Sequence, residues 1–565
     1  MDTRMTRHII YAAILALSGI AFTLFARWEP GGESWGYWLF ARIFAETGKF
    51  IVVDRSPLYI LYLNLFRWMG YPLEVIVEYC VTFMIAAVSF IALFKRYAGL
   101  VGASFAFVLW MPFFQMAEPH TQQLALASAC LAVVARGDAT KRSRMALSYA
   151  LLLFAYMIRY NYLLLVGIFI FWDILRALRR SGFNSLIRAL RPGPADWPLF
   201  IAILLLLWFK VAQSPHPWNN IWFSSAAWFP GNGKSLADAA FIQDSNFQYI
   251  FHRYGSFHNK DFYFTNHELF GGATDMLGAV FANPGFVARQ LAENIKGAFC
   301  TIASLTMLPP FYYSKPSGHL WLFYSAAGAV TVPLLGLILY GAVRASRDDG
   351  MRLFLAGNIL LLLSHALSSP SAHYMGAVIP VFILGASWYG NLFRGVSTRY
   401  GHLILPLLLI FFSNGPIHWS KITGDLAEDV RHRDVRIMET RPYSIGASFR
   451  TLEELARPAK GIMALESAFI GAFMSVPLDR VYDIWEIPPF GRFGSSDYNG
   501  LRPDRIDRVF VSHRLATDTG KGTNMQIRYD NYILPYTEAL SAEGAHIYDI
   551  EKFGKAYIMP GPGER

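Results

Sequence analysis

The sequence predicts a polytopic α-helical membrane protein of about 11 transmembrane helices, with extracytoplasmic interfacial helices and a C-terminal soluble α/β domain. Three observations predict it. Only 16% of the 565 residues are charged and 54% are hydrophobic, whereas a soluble chain carries roughly a quarter charged residues. The apolar residues come in runs of about 17–25, the length that crosses a hydrocarbon core of roughly 30 Å. The chain is 16% aromatic, with 15 Trp and 29 Tyr, which suits two membrane–water interfaces. A net charge of +10 invites a nucleic-acid partner. That reading fails on position, because the basic residues sit in short turns between apolar runs. Cys80, Cys130 and Cys300 are too few for a disulfide framework, and the first two lie inside apolar runs where they pack.

Arg4 and Arg7 precede the run at residues 9–25. That run is long for a signal peptide and lacks a small-residue cleavage site, so it reads as an uncleaved first helix. A polar, aromatic loop follows over residues 28–72. Within it SPLYILYLNLFRWM (residues 56–69) is short and amphipathic, an interfacial helix rather than a span. Further spans fall at residues 73–94, 100–114, 121–135, 145–158, 162–174 and 197–211. A polar loop at 215–319 separates these from spans at 320–343, 353–367, 374–392 and 402–412.

Orientation follows from Lys and Arg in the short loops. One set of turns carries Lys95 and Arg96; Arg136, Lys141, Arg142 and Arg144; Arg176, Arg179 and Arg180; Arg344 and Arg347; Arg394 and Arg399. The opposite turns (MAEPH at 116–120, IRYN at 158–161, SSPSAH at 368–373) are nearly free of them. The alternation holds only if 145–174 is two spans broken near Arg159, since an arginine at that depth would otherwise cost several kcal/mol. The N-terminus is then cytoplasmic, and both large loops and everything after Ser413 are periplasmic, in a bacterial inner membrane. The chain divides into a transmembrane domain (1–414) and an extracytoplasmic α/β domain (415–565). In the latter, GIMALES (461–467) and RVFVSHR (508–514) read as strands, residues 452–456 and 531–544 as helices, and the end as a hairpin.

Carboxylates carry the main chemical signal. Glu29, Glu33 and Asp54 lie in the first loop and Glu118 in the turn MAEPHT, two loops of the same membrane face. A carboxylate at the rim of an apolar cavity suits general-base work on an acceptor hydroxyl or amine. Glu33 serves equally well as a cap on the helix that follows. Arg159 is the second signal, since a guanidinium grips a phosphate bidentately; a structural role beside Glu118 or at a helix end is its alternative. Lys49, Arg42 and Arg55 add positive charge to the first loop, each also readable as a snorkelling residue. His373 is a further donor at the end of a span. The histidines at 216, 252, 258 and 267 of the 215–319 loop show no tight zinc spacing, so no metal site is assigned and a divalent cation is the one cofactor left open. Its aromatics would stack on a sugar or pack the loop onto the bilayer.

The order of these features resembles the C-type fold integral membrane glycosyltransferases, near the protein O-mannosyltransferase and lipid A aminoarabinose transferase branch. The resemblance is carried by Glu33-Ser-Trp-Gly-Tyr37, Ser56-Pro57-Leu58-Tyr59, Glu118-Pro119-His120-Thr121, Arg159 and HYMGAVIP at 373–380. It implies sugar transfer from a polyprenyl-phosphate-linked donor to a lipid, glycan or protein acceptor outside the cytoplasm. It places the acidic base or acceptor-orienting residue on Glu33, the second acid on Glu118 and the phosphate-gripping arginine on Arg159, with Tyr37, Tyr59 and Tyr374 among the substrate-binding residues. The sequence departs from the family in two places: Glu33 stands where Asp is usual, and His373-Tyr374 where Arg-Tyr is usual. A lipid-linked sugar flippase is the rival from another class, and a surface-polysaccharide ligase or polymerase a third reading. No internal repeat of the transporter kind is present.

Overall fold

The computed structural model describes residues 32–48, 57–93, 120–136, 142–181, 276–289, 353–361, 448–483, 506–513 and 534–560, excepting 465 and 552, together with 197, 201, 204–205 and 291–292. The expected first helix, the spans at 100–114, 320–343, 374–392 and 402–412, and most of the 197–211 span and the 215–319 loop lie outside these residues.

Helix α1 spans Gly32–Thr47. Helix α2, Pro57–Asn64, opens on a proline, whose missing N–H costs nothing at a first helical position. It buries Pro57, Tyr59, Ile60 and Leu63. A 3-10 turn at Arg67–Met69 follows. There Leu65 and Trp68 are exposed, which suits an interfacial helix. Gly70, at φ +70°, reverses the chain into helix α3, Leu73–Leu93. Among the described residues α3 is the one helix long and apolar enough to cross a membrane by length and composition.

Helices α4 (Thr121–Arg136) and α5 (Arg142–Ile158) form an antiparallel pair, as the five residues between them dictate. Ala125, Ala127, Ala129 and Ala132 of α4 are all buried, and such small side chains let neighbouring helices close up. The break expected near Arg159 is present. Helix α5 stops at Ile158, a single 3-10 turn covers Tyr160–Tyr162, and α6 runs Leu163–Ser181. At the far end of this trio Arg136, buried at the end of α4, pairs with Asp173 of α6. The Tyr149 hydroxyl of α5 donates to the same carboxylate, and the guanidinium lies 4.9 Å over the Phe169 ring. Further helices are α7 (Met276–Ala282), a following helical segment at 284–289 and α8 (353–361). A Cβ on Gly357 of α8 would collide with Leu165 of α6, so glycine sets that close approach.

The C-terminal residues build a five-stranded mixed sheet of order β2-β1-β3-β5-β4. Strand β1 (Ile462–Ala464) pairs in parallel with β2 (Val481–Asp483) and β3 (Arg508–Ser512). Strand β5 (Gly554–Ile558) runs antiparallel to β3 and to β4 (His546–Ile550). The strands expected at GIMALES and RVFVSHR and the final hairpin thus form. Helices α9 (Phe449–Ala456), α10 (Ser467–Phe473) and α11 (Leu534–Ala542) accompany them. Gly554, at φ +143°, sits so close to Val511 that a Cβ would overlap its carbonyl oxygen.

Helix α1 docks on α10. Trp35 meets Phe469 edge-on with ring centroids 5.5 Å apart, and Trp38 meets Phe473 at 5.8 Å. Tyr71 inserts between Phe449, Phe469 and Phe473. Arg42 closes the joint. Its guanidinium donates to the carbonyls of Gly471 (2.8 Å), Met474 (2.6 Å) and Val476 (2.8 Å), and Nε donates to Glu46 at 2.6 Å. These carbonyls belong to the last turn of α10 and the residues after it, groups that no intrahelical donor satisfies. Met474 O also accepts from Val476 N at 2.8 Å, so replacing Arg42 by Met takes a donor from the Gly471 and Val476 carbonyls above all, at a cost of about 1–3 kcal/mol for each one left buried and unpaired. The expected outcome is a lowered unfolding temperature and faster proteolysis of the region after residue 448, with Arg42→Lys in between because one ammonium cannot fork to divergent acceptors.

Candidate functional site

The antiparallel order α4–α5–α6 brings the Arg159 break to the same end of the bundle as the turn before α4. At that end the described residues hold one buried polar cluster, and it centres on Glu78, in the second turn of α3. Glu78 Oε1 accepts from Tyr59 Oη of α2 at 3.2 Å and from Thr82 Oγ1 at 2.8 Å. Since the Thr82 proton points to Glu78, the 2.7 Å contact between Tyr62 Oη and Thr82 Oγ1 is a donation from the tyrosine. On the other oxygen, His120 Nδ1 lies 3.1 Å from Oε2. A carboxylate only accepts, so Nδ1 carries the proton. Tyr79 meets the His120 ring edge-on at 4.6 Å.

Tyr37 of α1 joins this cluster through its ring, T-shaped on Tyr59 with centroids 5.2 Å apart. Glu33 stands in the first turn of the same helix, four residues earlier, where a carboxylate is favoured by the helix dipole. Burial pushes the Tyr59 phenol well above its ordinary range, and the Glu78 carboxylate pushes the same way. The same two causes raise Tyr62, against a smaller lowering by its bond to Thr82. Both phenols are therefore locked as hydrogen-bond donors.

Arg159 is half-buried at the break. Its N–H continues the helix to Ala155 O at 2.8 Å, and its carbonyl accepts from Tyr162 N at 3.1 Å, so the backbone stays hydrogen-bonded where the axis changes. The Tyr162 ring beside it is fully buried. Of the other residues singled out from the sequence, Arg42 commits four of its five N–H groups to Glu46 and the three carbonyls. Asp54, Glu118, Lys49, Arg55, His373 and Tyr374 lie outside the described residues. Among the described residues no three His, Cys, Asp or Glu side chains gather as a metal site. Sequence reading passed over Glu78, although an ionisable residue inside an apolar span is the same signal that marks Arg159.

No family model matches the chain, and no curated protein matches it. Among solved structures the chain is similar to ArnT from Cupriavidus metallidurans. The crystal structure bound to undecaprenyl phosphate aligns at TM-score 0.40 and 12% identity over 98% of both chains. The apo crystal structure aligns at 0.39 and 12%, again over 98% of both chains.

The raised phenols fix a pH dependence. A group whose pKa is higher folded than unfolded contributes stability that is complete below its ordinary value of 10.0 and is lost as pH rises beyond it. Thermal unfolding temperature should therefore fall more steeply above about pH 10 in the wild type than in Tyr59→Phe; equal slopes would refute the buried donor at Tyr59.

Proposed function

We propose that the protein is a membrane glycosyltransferase that moves a sugar from a polyprenyl-phosphate carrier to an acceptor on the extracytoplasmic side of a bacterial inner membrane. The observation that carries the reading is the placement of Arg159. It stands at a helix break, half-buried, at the end of the bundle where Tyr37 of α1 packs on Tyr59 of α2 and Tyr59 donates to Glu78. A guanidinium held there suits an oxyanion on a lipid-borne ligand. The order of acidic loop, Pro-Leu-Tyr helix, acidic turn and arginine turn along the sequence supports the same reading.

In the proposed reaction the acceptor hydroxyl or amine attacks the anomeric carbon as the bond from that carbon to the carrier phosphate oxygen breaks. Glu33 takes the acceptor proton, and the phosphate leaves with both electrons of the broken bond, its charge met by Arg159 with Lys49 and Arg55. Glu118 and Asp54 orient the acceptor, while His373 and Tyr374 line the carrier side. The step is a single displacement with inversion, and no covalent intermediate forms on the enzyme. Arg42 serves this site by holding α1 in place. The transmembrane part ends near residue 414, and the sheet of the C-terminal domain faces the periplasm and shapes acceptor access.

The test is sugar transfer from a radiolabelled panel of undecaprenyl-phosphate sugars in detergent, comparing wild type with Glu33→Gln and Arg159→Ala. Loss of a general base lowers kcat by about 10²–10⁴-fold, and Arg159→Ala should weaken carrier binding as well as turnover. Carrier binding without turnover of any donor would instead indicate a flippase. Full activity in Glu33→Gln would leave the enzyme standing and remove the base.

A further inference from the structure

One buried carboxylate ties together the two loops that carry the candidate acids. Glu78 is 2% exposed and accepts from three donors on three segments: Tyr59 of α2, Thr82 one turn further along α3, and His120 in the turn before α4. Through Tyr59 it reaches Tyr37 by ring contact, and Tyr37 lies one helical turn after Glu33. Its third donor, His120, stands two residues after Glu118 in the sequence. A carboxylate in an apolar interior is expensive, and a packed apolar cluster would hold helices together at no greater cost. What an apolar cluster would not supply is direction. Two oxygens with three donors fix the rotation of the Tyr59 phenol and the orientation of the His120 ring, and with them the register of both loops.

We propose that Glu78 is a positioning residue of the transfer site, setting the separation between helix α1, which carries Glu33, and His120 at the start of α4 without itself touching substrate. The proposal rests on the glycosyltransferase reading above. A misplacement of about 1 Å at such a site costs on the order of a hundredfold in rate. Gln at this position keeps the shape but turns an amide N–H₂ toward either the Tyr59 and Thr82 hydroxyls or the His120 N–H, so two donors lose their acceptor in the first case and one in the second.

The test is steady-state transfer with Glu78→Gln and Glu78→Asp, with folded protein quantified by thermal unfolding in the same samples. The expected result is a kcat reduced by about ten- to a hundredfold in Glu78→Gln, a carrier KM within about twofold of wild type, and partial recovery in Glu78→Asp. Should Glu78 variants fold poorly, the His120 pair decides. His120→Asn, whose side-chain amide can replace the Nδ1–H donor, should retain more kcat than His120→Ala. A kcat per folded molecule equal to wild type in Glu78→Gln, or equal loss in both His120 variants, overturns the proposal. Absence of transfer by the wild type overturns the parent reading and this one together, whereas full activity of Glu33→Gln removes the base and leaves the Glu78 result to be judged on its own.

Discussion

Inside an apolar helical bundle a polar side chain can bond only to other parts of the chain, and that requirement governs how the segments meet. Three clusters obey it. Glu78 takes donors from α2, from its own helix and from the turn before α4. Asp173 of α6 takes Arg136 from α4 on one oxygen and Tyr149 from α5 on the other. Arg42 of α1 meets carbonyls more than four hundred residues away at the end of α10. Such groups add little net stability over well-packed apolar residues, yet removing one partner strands the rest. Their effect is to specify which segments touch and in what register.

The clusters sit at different places for a reason rooted in connectivity. The α4–α5 hairpin and the α6 return put Arg136 and Asp173 at one end, and His120, Glu78 and the Arg159 break at the other. The first end is closed by a charge pair covered by an aromatic ring. The second is dense in phenols, with Tyr37, Tyr59, Tyr79 and Tyr162 all buried. Phenols supply apolar area and a directed O–H together. Tyr59 and Tyr62, held protonated by burial and by the nearby carboxylate, keep that donor role across the physiological range.

Much of this was readable before any coordinates. Hydropathy located α3, α4 and α5, and the alternation of basic turns required the break at Arg159 because an unbroken helix would have placed a guanidinium deep among apolar side chains. Short apolar runs bounded by turn residues located β1 and β3. What could not be read is non-local. The insertion of β5 between β3 and β4 has no signature in any one segment. Arg42 looks like an ordinary interfacial arginine until α10 presents its carbonyls. Glu78 was legible as an anomaly in VIVEYCVTF, but its partners come from α2 and from a turn some forty residues on, and only the fold brings them within 3.2 Å.

These relations converge on α1. Its Trp35, Trp38 and Arg42 bind the C-terminal sheet through α10, while Tyr37 leans on Tyr59 and so on Glu78. The helix is thus held from both sides, by the sheet and by the bundle. That matters for a residue such as Glu33. Glutamate has one more rotatable bond than aspartate, so its carboxylate reaches farther but loses more conformational freedom when it is fixed. Any contact made by such a side chain is held in place only if the backbone beneath it does not move. Anchoring α1 through a fourfold-bonded guanidinium on one side and a shared buried carboxylate on the other removes backbone freedom where side-chain freedom is greatest.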